Sequence, residues 1–512
     1  MVIGRQNRRA LQQRHRAERA RATAATARRQ RPSNNLGDTP RHTGGQHPYT
    51  RAEENARLYQ YESRTKSAFD NIEPVLRRVS ALQHEEDFVT QAQQLTRSAL
   101  GYELPHHLLD SAWVAPLDMG GLYAACVFET FQRFADDFYQ TRPLASRNET
   151  EFQSFIEDCG FHLLDISPCA DGRLAHVIRY VLRLPYQAVR RKSYAGAMFD
   201  VEDSLQKWVE TEFFRHREGR PNTADAPTRY LKTAVYHYSS SNPDVEGCAA
   251  HGSDAAKAAE GALSRLLAFQ QGVQNSFCCG ASIDLLLIGI DTDTDAIRIH
   301  VPDAKNGVDT NRYVDALAVY DATRNATGSD ADGAIAEYVE HVTRGQGIAP
   351  TPGMLKLIAH LLRNNISQID YVRAYYNGRY SDIGHQERFI GMGIGFEEVQ
   401  LRNLTYFAYL KTVEQGAKDV DVGIKIFTGL NISRGLPAPV VIRYDYHGNV
   451  PGARDRAIAR CQCLERALHT RFADIAARGL LHTLLVIRDV NGDSNVELVG
   501  GSLQAQRAQE SH

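Results

Sequence analysis

Cysteine is scarce in this chain, 8 residues in 512. That density excludes a disulfide scaffold and leaves three roles open: buried thiol, metal ligand or reactive thiol. No C-x2-C pair occurs, which excludes the usual zinc-finger spacing. The chain also lacks the run of roughly 18–20 apolar residues that a spanning helix needs, and its N-terminus has no apolar signal region. A soluble chain of the cell interior, without a membrane partner, is expected. Charge of one sign is missing too: the formal net charge is −2, so the molecule as a whole is not built to hold polyanions. Apolar residues make up 43%, enough for ordinary cores, and the length suggests about three domains.

The near-neutral average hides one asymmetric segment. Residues 1–45 hold eleven arginines, Arg5 to Arg41, against Glu18 and Asp38, and no lysine. Too little apolar surface is present to offset ordering entropy, so a disordered basic tail is expected. Nucleic acid is not its expected partner, because the tail lacks aromatic residues on which bases would stack.

Residues 46–145 carry apolar residues at spacings of 3 and 4, which predicts a helical packing or assembly domain. From 146 to 390 strand and helix signals alternate. Residues 233–238 (TAVYHY) read as a strand, 255–273 as a long helix, and 283–290 (IDLLLIGI) as a strand buried on both faces. A helical pattern is also expected over 174–184. The order argues for an α/β domain with a largely parallel sheet. Residues 391–512 repeat part of it: a strand at 440–446 (VVIRYDY), a helix at 453–478, a strand at 483–487. Tyr236-His237-Tyr238 lies over Tyr444-Asp445-Tyr446, a faint duplication in which Asp445 stands where the first copy has His237.

The candidate chemistry is Cys169-Ala170-Asp171-Gly172-Arg173 together with His237 and Cys248. Pro168 and Gly172 place the motif on a turn, and a strand end leading into a helix is a common ligand position in open α/β sheets. Two cysteines and one histidine match the three protein ligands of a catalytic zinc, which keeps a fourth position for water. Asp171 can accept a hydrogen bond from such a water, or bind the metal and close the site. Arg173 can hold the carboxylate in a bidentate pair and keep it off the metal. Cys126, Cys159, Cys461 and Cys463 sit in helix-like surroundings and are expected to be buried.

These residues carry a resemblance. The runs 169–173, 190–196 (RRKSYAG), 236–240 (YHYSS), 246–252 (EGCAAHG), 277–282 (FCCGAS), 291–295 (DTDTD) and 364–368 (NNISQ) are similar to the carboxysome shell carbonic anhydrases, an epsilon class related to the β class. The resemblance covers everything after the tail. It implies a helical N-terminal domain, a β-carbonic-anhydrase-like catalytic domain and a degenerate second copy without zinc. The corresponding division is tail 1–45, helical 46–145, catalytic 146–390 and duplicate 391–512. It implies Zn2+ on Cys169, His237 and Cys248, with Asp171 and Arg173 as the catalytic dyad, interconverting CO2 and bicarbonate inside the carboxysome and supplying Rubisco with CO2.

Ten residues, Tyr238 through Gly247, separate His237 from Cys248, against two in the usual β-class pattern; this leaves His251 as a rival ligand. With His251 as a fourth ligand the zinc would be closed and structural, in a shell or cargo assembly protein. His385 is expected to approach the site as a donor. In the family's context the tail suits an acidic groove on Rubisco or a shell protein, Arg190-Arg191-Lys192 a phosphorylated-sugar effector, and the chain a homo-oligomer built on dimers. The vicinal Cys278 and Cys279 are expected to be buried thiols.

Overall fold

The computed structural model describes residues 47–503, apart from 111–114, 145–147, 187, 224, 278–281, 345–346, 409–411 and 493. The basic tail and the Cys278–Cys279 pair lie outside the described residues. No described helix is long and apolar enough to cross a membrane.

The chain opens with helices α1 (Ala52–Asp70), α2 (Ile72–Ala81), α3 (Phe88–Ala99) and α4 (Met119–Thr141). Asp118 starts α4 by accepting the Gly121 N–H at 2.9 Å, which satisfies one of the orphan donors of the first turn. After α5 (Glu149–Asp158) come β1 (Leu163–Pro168), β2 (Arg190–Arg191), α6 (Val201–Arg217), β3 (Arg229–Tyr238), α7 (Ala255–Phe277), β4 (Ser282–Asp291), β5 (Ile297–His300) and β6 (Val314–Asp315). They build a six-stranded sheet in the order β2-β1-β3-β4-β5-β6. β2, β1, β3 and β4 run parallel, β5 runs antiparallel to β4, and β6 runs antiparallel to β5. In β4 every residue from Leu285 to Asp291 is buried, as a parallel strand covered on both faces requires.

Three helices, α8 (Ala316–Thr323), α9 (Gly328–Thr343) and α10 (Pro352–Tyr376), lead to the second sheet. It consists of β7 (Phe389–Ile394), β8 (Thr405–Ala408), β9 (Ala438–Tyr446), β10 (Leu481–Asp489) and β11 (Glu497–Gly501), with α11 (Val413–Leu430) and α12 (Ala453–Arg471) in the crossovers. Its order, β8-β7-β9-β10-β11, is that of β2-β1-β3-β4-β5, with the same parallel and antiparallel senses.

The helical region has a definite task. Alternate residues of β9 point to opposite faces. Val440 and Ile442 pack with α11 and α12, whereas Val441 joins a core shared with α1, α2 and α4. Phe389 of β7 sits 5.9 Å from Phe69 and 5.4 Å from Phe131, ring centre to ring centre. The N-terminal helices thus cover the face of the second sheet that its own helices leave open.

Two local expectations change. Over 174–184 there is no regular α-helix: a 3-10 turn, Gly172–Leu174, is followed by a π-turn, Val177–Val181. Distant partners dictate that path, since His176 Nε2 lies 2.7 Å from Asp295 and Arg183 donates to Asn55 and Gln368. Cys463 is exposed, unlike Cys126, Cys159 and Cys461.

Candidate metal centre

The site lies at the carboxyl edge of the first sheet. Cys169 extends β1 by one residue, its N–H donating to Val235 O at 3.1 Å. The chain then turns, Ala170 N–H donating to Tyr194 O at 3.0 Å. His237 is the penultimate residue of β3, opposite Ile290 of β4. Cys248 ends the loop after β3 and caps a short turn, Ala249–His251. These elements bring one sulfur each from Cys169 and Cys248 and a ring nitrogen of His237 within 4.8 Å of one another, and all three residues are buried.

The electrostatics are those of a place prepared for a cation. Neither nitrogen of the His237 ring has a hydrogen-bond partner, although the side chain is 1% exposed. An orphaned buried imidazole is costly unless something else binds it. Burial alone would lower its pKa, but Cys169 and Asp171 outweigh that and lift it to about 9. The hydrogen bond with Cys248 and burial push the Cys169 thiol well up, while the same bond brings Cys248 down. The Cys169 sulfur also accepts the Gly196 N–H at 3.2 Å, and backbone amides of Ala250 and His251 face Cys248. Two sulfurs, that of Cys169 accepting a backbone N–H, beside one imidazole without a hydrogen bond make a donor set for a borderline-soft ion.

Asp171 and Arg173 form the dyad that the motif suggested. Nε of Arg173 meets Oδ1 at 2.9 Å and Nη2 meets Oδ2 at 2.7 Å. Nη1 donates to the carbonyls of Glu246 (2.7 Å) and Ile383 (2.8 Å), so the 1% exposed guanidinium is fixed on three sides. Burial would raise the Asp171 pKa, but Arg173, then His385 and His237, hold it well below the carboxylate range. Its Oδ2 lies 3.3 Å from His237 Nε2.

His385 does approach this edge: its Nε2 is 4.0 Å from Asp171 Oδ2, and its Nδ1 is 2.9 Å from Glu387 Oε1. Burial opposes its protonation, yet Glu387 and Asp171 raise its pKa to about 9. Glu387 was not found from the sequence, nor were Glu246 and Ile383. Glu387 reaches the motif only through the tertiary fold, and the one local trace is Gly172, where a Cβ would stand 2.6 Å from Glu387 Oε1.

His251 is not brought into the ligand set; its Nε2 lies 3.1 Å from Gly196 O. Among the described residues no fourth protein ligand completes the Cys169–His237–Cys248 cluster. Arg190, Arg191 and Lys192 have internal partners. Arg190 meets Asp165 and Asp203, Lys192 meets Asp203, and Arg191 donates to Ala175 O at 2.9 Å and to Gln400 at 2.5 Å.

Fold and site together define a class: an α/β protein with a three-ligand Cys–His–Cys metal centre and an arginine-clamped aspartate at the carboxyl edge of a parallel sheet. Comparison with known proteins narrows the class. Three family models match: carboxysome shell carbonic anhydrase N-terminal over 47–139, catalytic domain over 151–385, and C-terminal over 386–503. The carboxysome shell carbonic anhydrase of Parasynechococcus marenigrum (strain WH8102) is 54% identical over 474 residues, 92% of this chain and 81% of that protein. That of Prochlorococcus marinus (strain MIT 9313) is 54% identical over 92% of this chain and 91% of its own. That of Halothiobacillus neapolitanus (strain ATCC 23641 / c2) is 46% identical over 89% and 90%. The chain belongs to the carboxysome shell carbonic anhydrase family.

Proposed function

We propose that the chain interconverts CO2 and bicarbonate in the carboxysome, on a zinc ion held by Cys169, His237 and Cys248, and supplies CO2 to Rubisco there. The observation that carries the metal is the buried His237 ring, neither nitrogen hydrogen-bonded, beside two sulfurs. Zinc bound by such a set supplies the acidity that brings a water's pKa towards neutrality. The residues of the chain do the rest. Asp171 stays ionised at neutral pH and can only accept a hydrogen bond; Arg173 takes both its oxygens and keeps the carboxylate from wandering into the ligand set. His385, 27% exposed against 6% for Asp171, stands between the dyad and solvent and holds a proton at Nε2 for exchange with buffer.

Stopped-flow CO2 hydration before chelation, after it, and after zinc is returned tests this reading: activity should vanish and come back. The rival, an assembly protein with a closed structural zinc, would carry zinc and hydrate no CO2. The three-ligand cluster, with His251 turned away, favours the open site.

The wider assignments follow from the same reading. The chain divides into a tail (1–45), a helical domain (46–145), a catalytic domain (146–390) and a duplicate domain (391–512), the last join falling within β7. The arginine-rich tail binds Rubisco or a shell protein, so its deletion should spare purified activity and abolish encapsulation; normal packaging without it would overturn the proposal. The chain assembles as a homo-oligomer built on dimers. Arg190 and Lys192 take a phosphorylated-sugar effector by exchanging Asp203 for phosphate; titration with a sugar bisphosphate that leaves activity unchanged would remove that assignment.

A further inference from the structure

His251 is a further metal-ligand residue type near the centre, and its side chain turns away from the ligand set to do something else. Its Nε2 lies 3.1 Å from Gly196 O. A carbonyl only accepts, so Nε2 carries the proton and donates. The same glycine donates its N–H to the Cys169 sulfur at 3.2 Å. One glycine residue therefore lies between the ring and the sulfur of the other cysteine loop. On the His251 side the link is equally short: Cys248 immediately precedes the turn Ala249–His251, and its carbonyl accepts the His251 N–H at 3.0 Å.

Two glycines make room for this ring. Gly196 has φ +66°, and a Cβ there would stand 2.8 Å from Ala250 Cβ and 2.9 Å from His251 Nε2. Gly261 lies on α7, where a Cβ would stand 2.5 Å from His251 Cε1. The ring is thus seated between the turn that addresses Cys169 and the helix that follows Cys248.

We infer that His251 is a positioning residue for the metal: by bridging Gly196 and Gly261 it sets the separation of the two cysteine sulfurs and keeps the Gly196 N–H on Cys169. It binds no metal and touches no substrate. Residues that orient ligands in this way typically govern about 10- to 100-fold of metal affinity.

The inference rests on the proposed zinc reading, and the test separates the two. Zinc affinity is measured by chelator competition on full-length wild type, His251→Ala, Gly261→Ala and the double variant, with the thiolate-to-cobalt charge-transfer band of the cobalt-loaded proteins as a second readout. His251→Ala should weaken zinc about 10- to 100-fold and shift the cobalt band. Gly261→Ala, which pushes the ring without removing it, should do the same in part. The double variant should be no worse than His251→Ala, because the added methyl then has no ring to displace. Wild-type affinity and an unshifted band in His251→Ala overturn the inference, as does full additivity of the two substitutions. Should His251→Ala fold poorly, wild-type affinity in Gly261→Ala overturns it alone. Wild-type protein that binds no zinc removes the metal reading and this inference with it.

Discussion

The two sheets share strand order and direction, yet among the described residues both groups that could hold a metal ion, Cys169–His237–Cys248 and Asp171–His385–Glu387, sit at the edge of the first. Their registers can be laid over each other: Tyr238 pairs with Asp291 at the end of β3 and β4, and Tyr446 with Asp489 at the end of β9 and β10. His237 then matches Asp445. Ile394, paired with Tyr444, takes the place of Cys169 beside Tyr236. The loop that carries Cys248 spans residues 239–254 in the first sheet and only 447–452 in the second. Three changes at one sheet edge therefore remove a site while the strands beneath stay in place. A buried arginine–aspartate pair occurs at both edges, Arg173 with Asp171 and Arg443 with Asp445. Arg443, fully buried, pairs with Glu398 and with Asp445 at 2.7 Å, and donates to Tyr139 at 2.7 Å. In the second sheet a guanidinium of the chain itself sits among the buried oxygens. The first edge is roofed by residues 382–387, whereas Ile394, Val450 and Val490 leave the second edge exposed and apolar.

Substitutions at matched positions sharpen this contrast. The largest effect is expected from His237→Ala, which should lower CO2 hydration about 10³-fold or more by removing a proposed metal ligand, while Asp445→Ala leaves turnover per folded molecule unchanged. Arg173→Ala and Arg443→Ala come next. Each strands a buried carboxylate, so each should destabilise by about 3–5 kcal/mol in urea unfolding. Only Arg173→Ala should also lower kcat, by about 10²-fold, since it frees Asp171 beside the ligands.

A smaller, pH-dependent effect is expected from Glu387→Gln. The carboxylate raises the His385 pKa, so its removal should lower that pKa from about 9 and move the basic limb of the pH profile to lower pH. The sign for stability follows. A histidine whose folded pKa is raised stabilises fully below the free side chain's 6.5, and that stabilisation is lost as pH climbs through about 9. In Glu387→Gln the decline in stability across this window should shrink; a steeper decline would contradict the pairing. The smallest effect is at Ile394, 48% exposed, where Ile394→Ser should change stability within about 0.5 kcal/mol.

What was legible in the sequence divides along the same physical lines. The central strands β3, β4, β9 and β10 were visible because parallel strands buried on both faces read as apolar runs. β3 was read from residue 233 although it begins at Arg229, because Lys232 interrupts the pattern. That lysine is fully buried, its ammonium 2.8 Å from Ser167 and 2.9 Å from Asp165. The same pair hid β1, whose sequence LLDISP carries those two polar residues inward. β7, with Gly391 and Gly393, gave no strand signal either. In the site, Cys169, Asp171 and Arg173 were legible because ligand, acceptor and orienter lie within five residues; His237 and Cys248 joined them on the ligand count of a catalytic zinc, which the resemblance supports. Glu387, Glu246 and Ile383 were not, because they meet the motif across 73 or more residues of chain and belong to no local pattern.

The decisive measurement is zinc content and CO2 hydration on wild type and Cys248→Ala, prepared side by side. One zinc per chain with activity in the wild type, and loss of both in the variant, is expected. A variant that keeps its zinc and its turnover, or a wild type with a second zinc in the other sheet, would contradict a single metal centre built by the first sheet alone.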